Sequence, residues 1–250
     1  MTLSNTLTII RSIIFLIVFY ISTLFLLIIF IPTLFIPCKQ AGILPKTWSI
    51  MSRKLLWIFC GIKIQLKGLE NLPKENGYII ASKHQSAMET VLFHGIVPHV
   101  FYVLKRELLW IPFVGIYFLK TGCIAIDRKG GAKTMKQMLS GVKKHLADGM
   151  NLVIFPEGTR TAPGTKQPYT PGVAFLYDQC RVPVVPVALN TGYCWPKNKT
   201  IKRTGIVTIQ FLPPIEAGKN KRAFLDELCE TIETAQEKLP HPFHNRDNKC

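Results

Sequence analysis

The chain has 250 residues, 48% of them hydrophobic, and carries 31 Lys and Arg against 15 Asp and Glu for a formal net charge of +16. That length accommodates one substantial α/β domain once a hydrophobic leader is set aside, and the positive field favours anionic partners such as phospholipid headgroups, acidic carrier proteins or nucleic acid. Seven scattered cysteines without a C-x-x-C pair argue against a disulfide framework or a zinc site and suit a reducing compartment.

The first element is a run without charge from Ser12 to Ile36. As a helix rising about 1.5 Å per residue it is long enough for a hydrocarbon core of roughly 30 Å. It is longer than a signal-peptide core and no small-x-small cleavage site follows, so it reads as a retained anchor. Pro32 and Pro37 interrupt its end, and a second apolar segment, Trp48 with Leu55 to Phe59, carries Lys46, Arg53 and Lys54. Two arrangements fit: a span followed by an interfacial helix, or a helical hairpin dipping into one leaflet. The basic residues after the run place the downstream chain on the cytoplasmic side. The expected organisation is a membrane-anchoring helical segment over 1–59, an α/β domain over 60–240 and a polar tail over 241–250.

Strands are expected at Ile62 to Leu66 and at Tyr78 to Ala81, with His84 just beyond the second. Ser82 or Ser86 then caps a helix containing Glu89 and the apolar run Val91 to Gly95. A strand at His99 to Leu104 leads into Lys105, and the stretch LLWIPFVGIYFL over 108–119 reads either as a helix pair at a membrane face or as buried core. Cys123 to Ile126 is a strand ending in Asp127 and Arg128. From Lys133 to Asp148, Met135, Met138, Leu139, Val142 and Leu146 recur at helical spacing.

Leu152 to Phe155 is a buried strand running straight into Pro156, Glu157, Gly158, Thr159 and Arg160. Pro171 opens a helix, and Val184 to Leu189 forms a strand whose Pro186 points to a sheet edge or a strand end. A last strand, Ile206 to Phe211, precedes a helix from about Asn220 to Leu239. The repeated order of strand, polar residues and helix specifies an α/β fold: a mixed, mostly parallel central sheet flanked by helices, with the site at one edge of the strands. His241 and His244 lie in the tail without an acid cluster, so neither a metal nor a cofactor is expected.

Activating an acceptor hydroxyl for attack needs a base for its proton, and imidazole suits that task near neutral pH. His84 is the candidate, with Glu89 close enough to hold the other ring nitrogen. No G-x-S-x-G elbow is present, so direct attack by the acceptor is expected; Ser86 is the alternative nucleophile, although its spacing also suits capping. Arg128 and Arg160, each following a strand, can grip a phosphate bidentately. Glu157 can hold an arginine or the acceptor hydroxyl, and Gly158 permits close backbone approach and an oxyanion donor. The competing reading of Glu157 and Arg160 is a structural pair beside a tight turn.

Four segments in order carry a family resemblance: LysHisGlnSerAlaMetGlu at 83–89, Gly122 to Arg128, PheProGluGlyThrArg at 155–160, and Val185, Pro186 and Val187. Together they resemble the motifs of the bacterial 1-acyl-glycerol-3-phosphate acyltransferases, within the glycerolipid acyltransferase superfamily. The resemblance implies His84 and Glu89 as the catalytic pair, Arg128, Arg160 and Lys105 at the acceptor phosphate, Glu157, Gly158 and Thr159 lining that site, and Pro186 shaping the donor side. It also implies acyl-CoA or acyl carrier protein as donor, lysophosphatidic acid as acceptor and phosphatidic acid as product. The partner surface is then an anionic phospholipid membrane rather than nucleic acid, and the location the bacterial inner membrane with the catalytic domain facing the cytoplasm.

Two positions depart from the family pattern. Glu89 stands where aspartate is usual, and Lys83 replaces an asparagine, adding a charge that either lowers the imidazole pKa or meets a substrate phosphate. The alternative acceptors are another lysophospholipid, glycerol 3-phosphate or a lyso-ornithine lipid, and a different class is a non-catalytic lipid-binding protein.

Overall fold

A strand covered by helices on both faces needs apolar residues along its length, and the central strand Val184–Leu189 meets that demand at every position. The computed structural model describes residues 3–127 and 131–243, so the role expected of Arg128, like the tail residue His244, lies outside the described residues. The helices are α1 (Leu3–Ile29), α2 (Cys38–Ala41), α3 (Ile43–Cys60), α4 (Met88–Ile96), α5 (Val114–Lys120), α6 (Gly131–Ala147), α7 (Pro171–Cys180), α8 (Thr191–Cys194) and α9 (Lys221–Glu237). The strands are β1 (Ile62–Lys67), β2 (Ile79–Ser82), β3 (Val100–Lys105), β4 (Ile124–Ile126), β5 (Asn151–Ile154), β6 (Val184–Leu189) and β7 (Gly205–Phe211).

They form one sheet in the order β1-β7-β6-β2-β5-β3-β4. Every neighbouring pair is parallel except β6 with β7, so the sheet is mixed and mostly parallel, flanked by helices, as the strand–helix alternation specified. Alternation along each strand divides the core in two. Ile80, Val153, Val185 and Val187 face the side of α1, α3 and α4, whereas Ile79, Ala81, Leu152 and Val184 face α6, α7 and α9. The last helix begins where Asn220 accepts a hydrogen bond from the Ala223 amide at 2.9 Å, an ordinary N-cap.

One sequence expectation is corrected. Pro186 lies in β6, which has β2 on one side and β7 on the other, not at a sheet edge. The missing N–H is tolerated because the β6–β7 ladder breaks there. Pairing runs from Val187 to Leu189, resumes only at the Val184–Ile215 bridge, and the Pro186 carbonyl still accepts from the Leu212 amide at 2.9 Å.

The leader folds back on itself. Arg11 Nε donates to the Phe59 carbonyl at 2.6 Å and Trp48 Nε1 donates to the Thr23 hydroxyl at 2.9 Å, so α1 and α3 run antiparallel. The two helices therefore pack side by side as a hairpin. One stripe of α1 is docked: the Lys202 amide donates to Ser12 Oγ at 2.9 Å, and the Phe15 ring meets the Trp195 ring edge-on at 5.6 Å. The opposite stripe, including Tyr20, Ile21, Leu24, Phe25 and Ile28, is exposed and apolar. A helix long and apolar enough to cross a membrane, with that stripe uncovered, marks the chain as membrane-associated.

Candidate active site

After Ser82 the chain leaves β2 and turns through residues 83–87 into α4. Glu89 sits in the first turn of that helix, where a carboxylate meets unsatisfied amides. Its Oε1 accepts from the Gln85 amide at 2.6 Å and the Ser86 amide at 2.7 Å, and its Oε2 accepts from the Thr191 hydroxyl at 2.8 Å. The fully buried carboxylate is therefore fixed on three sides before it meets the histidine. His84 Nδ1 lies 3.0 Å from Glu89 Oε1.

A carboxylate that already receives these donors acts as acceptor, so the ring proton belongs on Nδ1 and the lone pair on Nε2. The ring is stacked on Phe155 with centroids 3.9 Å apart and planes at 15°, which fixes its second degree of freedom. Its side chain keeps 16% of its surface open. The longer glutamate costs no contact here, because the turn brings residues 84 and 89 to hydrogen-bond distance. The Ser86 hydroxyl accepts from the Met88 amide at 3.0 Å, but the N-cap residue of α4 is Ala87 and has no side-chain cap, so neither Ser82 nor Ser86 stands at the cap the sequence suggested.

A second carboxylate holds the same residue from behind. Glu157 Oε2 accepts the His84 amide at 2.8 Å, while its Oε1 takes the Thr161 hydroxyl at 2.7 Å and the Lys83 ammonium at 2.6 Å. Lys83, fully buried, also reaches Glu233 Oε1 in α9 at 2.8 Å, where the Tyr169 hydroxyl donates at 3.1 Å. Burial alone would pull the lysine pKa down, but the two glutamates outweigh it and hold the ammonium above its ordinary value. Lys83 thus neither faces the imidazole nor a substrate phosphate. Its charge is spent inside the protein. The Thr161 amide closes the arrangement by donating to the His84 carbonyl at 2.7 Å.

Residues 63–190 match the family model described as Acyltransferase. A 1-acyl-sn-glycerol-3-phosphate acyltransferase of Pseudomonas aeruginosa is 33% identical over 208 residues, covering 79% of this chain and 80% of that protein. The chain belongs to the 1-acyl-sn-glycerol-3-phosphate acyltransferase family. The sheep relative, 1-acyl-sn-glycerol-3-phosphate acyltransferase alpha, is 30% identical over 184 residues, and there the match spans 71% of this chain and 63% of the relative. The crystal structure of the 1-acyl-sn-glycerophosphate (LPA) acyltransferase PlsC from Thermotoga maritima has the same fold, with a TM-score of 0.76 at 21% identity over 92% of this chain and 97% of its own.

Within this O-acyltransferase family architecture, the sheet order explains where the remaining candidate residues fall. The strands β6, β2, β5, β3 and β4 are adjacent and all parallel, so their C-terminal ends share one edge. Thr191 follows β6, His84 follows β2, Glu157 to Arg160 follow β5, and Lys105 ends β3 two strands away from β2, a lateral distance of about 10 Å. Lys105 and Thr159 are exposed, and Arg160 is half-buried with Nη2 donating to Asn198 Oδ1 at 3.3 Å.

Three of the residues expected at the substrate site make contacts within the protein. Glu157 is buried and committed to Lys83, Thr161 and the main chain of His84, rather than to an arginine or a hydroxyl of the acceptor. Gly158 adopts φ +67°, and its amide closes the 155–158 turn onto the Phe155 carbonyl at 3.0 Å instead of facing an oxyanion. Pro186 is buried within the sheet. Sequence reasoning missed Thr191, Glu233 and Tyr169. Only Glu233 left a trace, as an acid one step from the buried face Phe224, Leu228 and Ile232 of the amphipathic α9.

Proposed function

We propose that this chain transfers a fatty acyl group from acyl-CoA or acyl carrier protein to the sn-2 hydroxyl of 1-acyl-sn-glycerol 3-phosphate, forming phosphatidic acid, with His84 as general base. The observation that carries the reading is the 3.0 Å contact of Nδ1 with a carboxylate already saturated by Gln85, Ser86 and Thr191. That contact leaves Nε2 as the acceptor. Nε2 takes the hydroxyl proton as the oxygen attacks the thioester carbonyl carbon, and Glu89 stabilises the imidazolium that forms. The tetrahedral intermediate collapses with cleavage of the C–S bond, and the imidazolium returns its proton to the leaving thiolate.

Arg160 and Lys105, with Arg128, hold the acceptor phosphate, and Thr159 lines its site. Glu157, Gly158 and Pro186 support these residues through the turn and the sheet. The domain over 60–240 works at the cytoplasmic face of a bacterial inner membrane, anchored through residues 1–59 to anionic lipid, where the acceptor is at high local concentration. Purified protein offered lysophosphatidic acid, glycerol 3-phosphate and a lysolipid lacking the phosphomonoester, each with both donors, tests the assignment. Phosphatidic acid is the expected product; turnover of the other acceptors alone overturns it. Protease accessibility in intact inner-membrane vesicles of known sidedness tests the orientation.

A further inference from the structure

The β3–β4 connection exposes an unusual concentration of apolar side chains. Leu108, Trp110, Ile111, Phe113, Ile116 and Leu119 are all exposed within twelve residues, Trp110 by 77% and Phe113 by 71%. Such a stretch in water is a liability unless another apolar phase covers it. The segment is nonetheless tightly built. A 3-10 turn, Arg106–Trp110, folds directly onto α5, so closely that a Cβ on Gly115 would stand 1.9 Å from the Leu109 carbonyl oxygen.

At its tip Phe113 has φ +64°, and the Val114 amide bonds back to the Pro112 carbonyl at 2.7 Å, forming the rare positive-φ γ-turn. An unfavourable backbone conformation that throws a phenyl ring outward gains nothing from packing inside the protein.

The wedge continues a surface already assigned to lipid. Tyr117 Oη donates to the Leu27 carbonyl of α1 at 2.6 Å, which ties α5 to the end of α1 where Leu24, Phe25 and Ile28 are exposed. Lys105, Arg106 and Lys120 flank the wedge against a single carboxylate, Glu107, the charge pattern that suits anionic headgroups around an inserted apolar tip. Its position also matters, because β3 delivers it to the same sheet edge as His84.

We propose that Arg106–Lys120 is a second membrane-inserting element, a preformed wedge whose Trp110 and Phe113 enter the acyl-chain layer of an anionic bilayer and hold the catalytic edge against it. The proposal rests on the reading that the acceptor is a membrane lipid. The hairpin and the wedge, joined where Tyr117 meets the Leu27 carbonyl, then form one continuous membrane-facing surface beside the catalytic edge.

The test uses full-length protein in a Trp57→Phe background, reconstituted with vesicles of phosphatidylglycerol and phosphatidylcholine carrying brominated acyl chains. Tryptophan emission is expected to be quenched, and most of that quenching is expected to vanish when Trp110→Phe is added. Quenching unchanged by Trp110→Phe overturns the proposal, as does an equilibrium mass in detergent of two copies that reverts to one on Trp110→Asp, which would make the wedge an interface between chains.

In a second arm, Trp110→Asp with Phe113→Asp is expected to lower turnover of a vesicle-embedded long-chain acceptor by at least about tenfold. The rate on a short-chain, water-soluble acceptor and donor is expected to stay within about twofold of wild type. Equal loss on both substrates assigns the wedge to the fold or the chemistry instead. Should the wild type turn over neither acceptor, the acyl-transfer reading fails while the quenching result still decides the wedge.

Discussion

Two buried carboxylates hold residue 84 from opposite sides, Glu89 through the imidazole ring and Glu157 through the main-chain amide. Both are shielded from water and both accept more than one hydrogen bond. They differ in what they neutralise. In the proposed mechanism Glu89 meets a ring that gains a proton as the acceptor attacks, so its stabilisation is greatest in the transition state. Glu157 faces Lys83, a permanent buried charge, so its contribution is present in the resting protein. Burial and residue type alone therefore say nothing about catalytic role; the partner decides.

Substitutions can break that comparison. His84→Ala is expected to lower kcat by about 10²- to 10⁴-fold with folding and membrane attachment retained. Steady-state kinetics on the detergent-solubilised enzyme checks this, and activity within about threefold of wild type would remove His84 from the chemistry. Glu89→Gln keeps the shape, with the carbonyl oxygen held at the Gln85 and Ser86 amides, but removes the negative charge beside Nδ1; the expected loss is again in kcat, up to about 10⁴-fold, with a small change in melting temperature.

Glu157→Gln should show the opposite balance. Leaving Lys83 with one carboxylate is expected to destabilise the fold by about 3–5 kcal/mol, read by thermal or denaturant unfolding, and to reduce kcat less than Glu89→Gln does. If the two glutamine variants have the same ratio of rate loss to stability loss, the division of labour between the carboxylates is wrong. Arg160→Ala addresses the phosphate side: the KM for a phosphorylated acceptor is expected to rise about tenfold or more with kcat little changed. An unaltered response to acceptor concentration would release Arg160 from that role.

The smallest effect sharpens the contrast between buried lysines. Lys83 has two carboxylates; Lys202 has the Trp195 ring at 4.5 Å and the Thr200 carbonyl at 2.7 Å, and burial lowers its pKa from 10.5 to about 8. Between those values the unfolded chain binds a proton that the folded chain has released, so stability attributable to Lys202 rises as pH climbs from about 8 toward 10.5. Melting curves should show that gain, and Lys202→Met should abolish it. Persistence of the full slope in the methionine variant would assign it to other groups.

Much of the site was legible because it is local. Residues 84 and 89 are linked by one turn into a helix, and Phe155 to Arg160 are contiguous, so motif and spacing sufficed. Lys83 and Glu233 are 150 positions apart, and no local signal connects them. Pro186 was misplaced for a related reason: a missing amide argues for an edge only if the neighbouring strand is continuous, and that continuity belongs to β7. The stretch 108–119 admitted both a core and a surface reading, since apolarity states what a segment avoids but not what covers it.

By itself the sequence determined the order of elements, the apolar leader, the residues at the ends of the strands and the family's motifs, all properties of near neighbours along the chain. Only the tertiary structure decided which glutamate meets the ring, which meets a lysine, and which apolar stretch remains uncovered. The physical reason is that a buried charge must find a partner wherever the fold brings one, and strand order, not sequence distance, sets who is within reach.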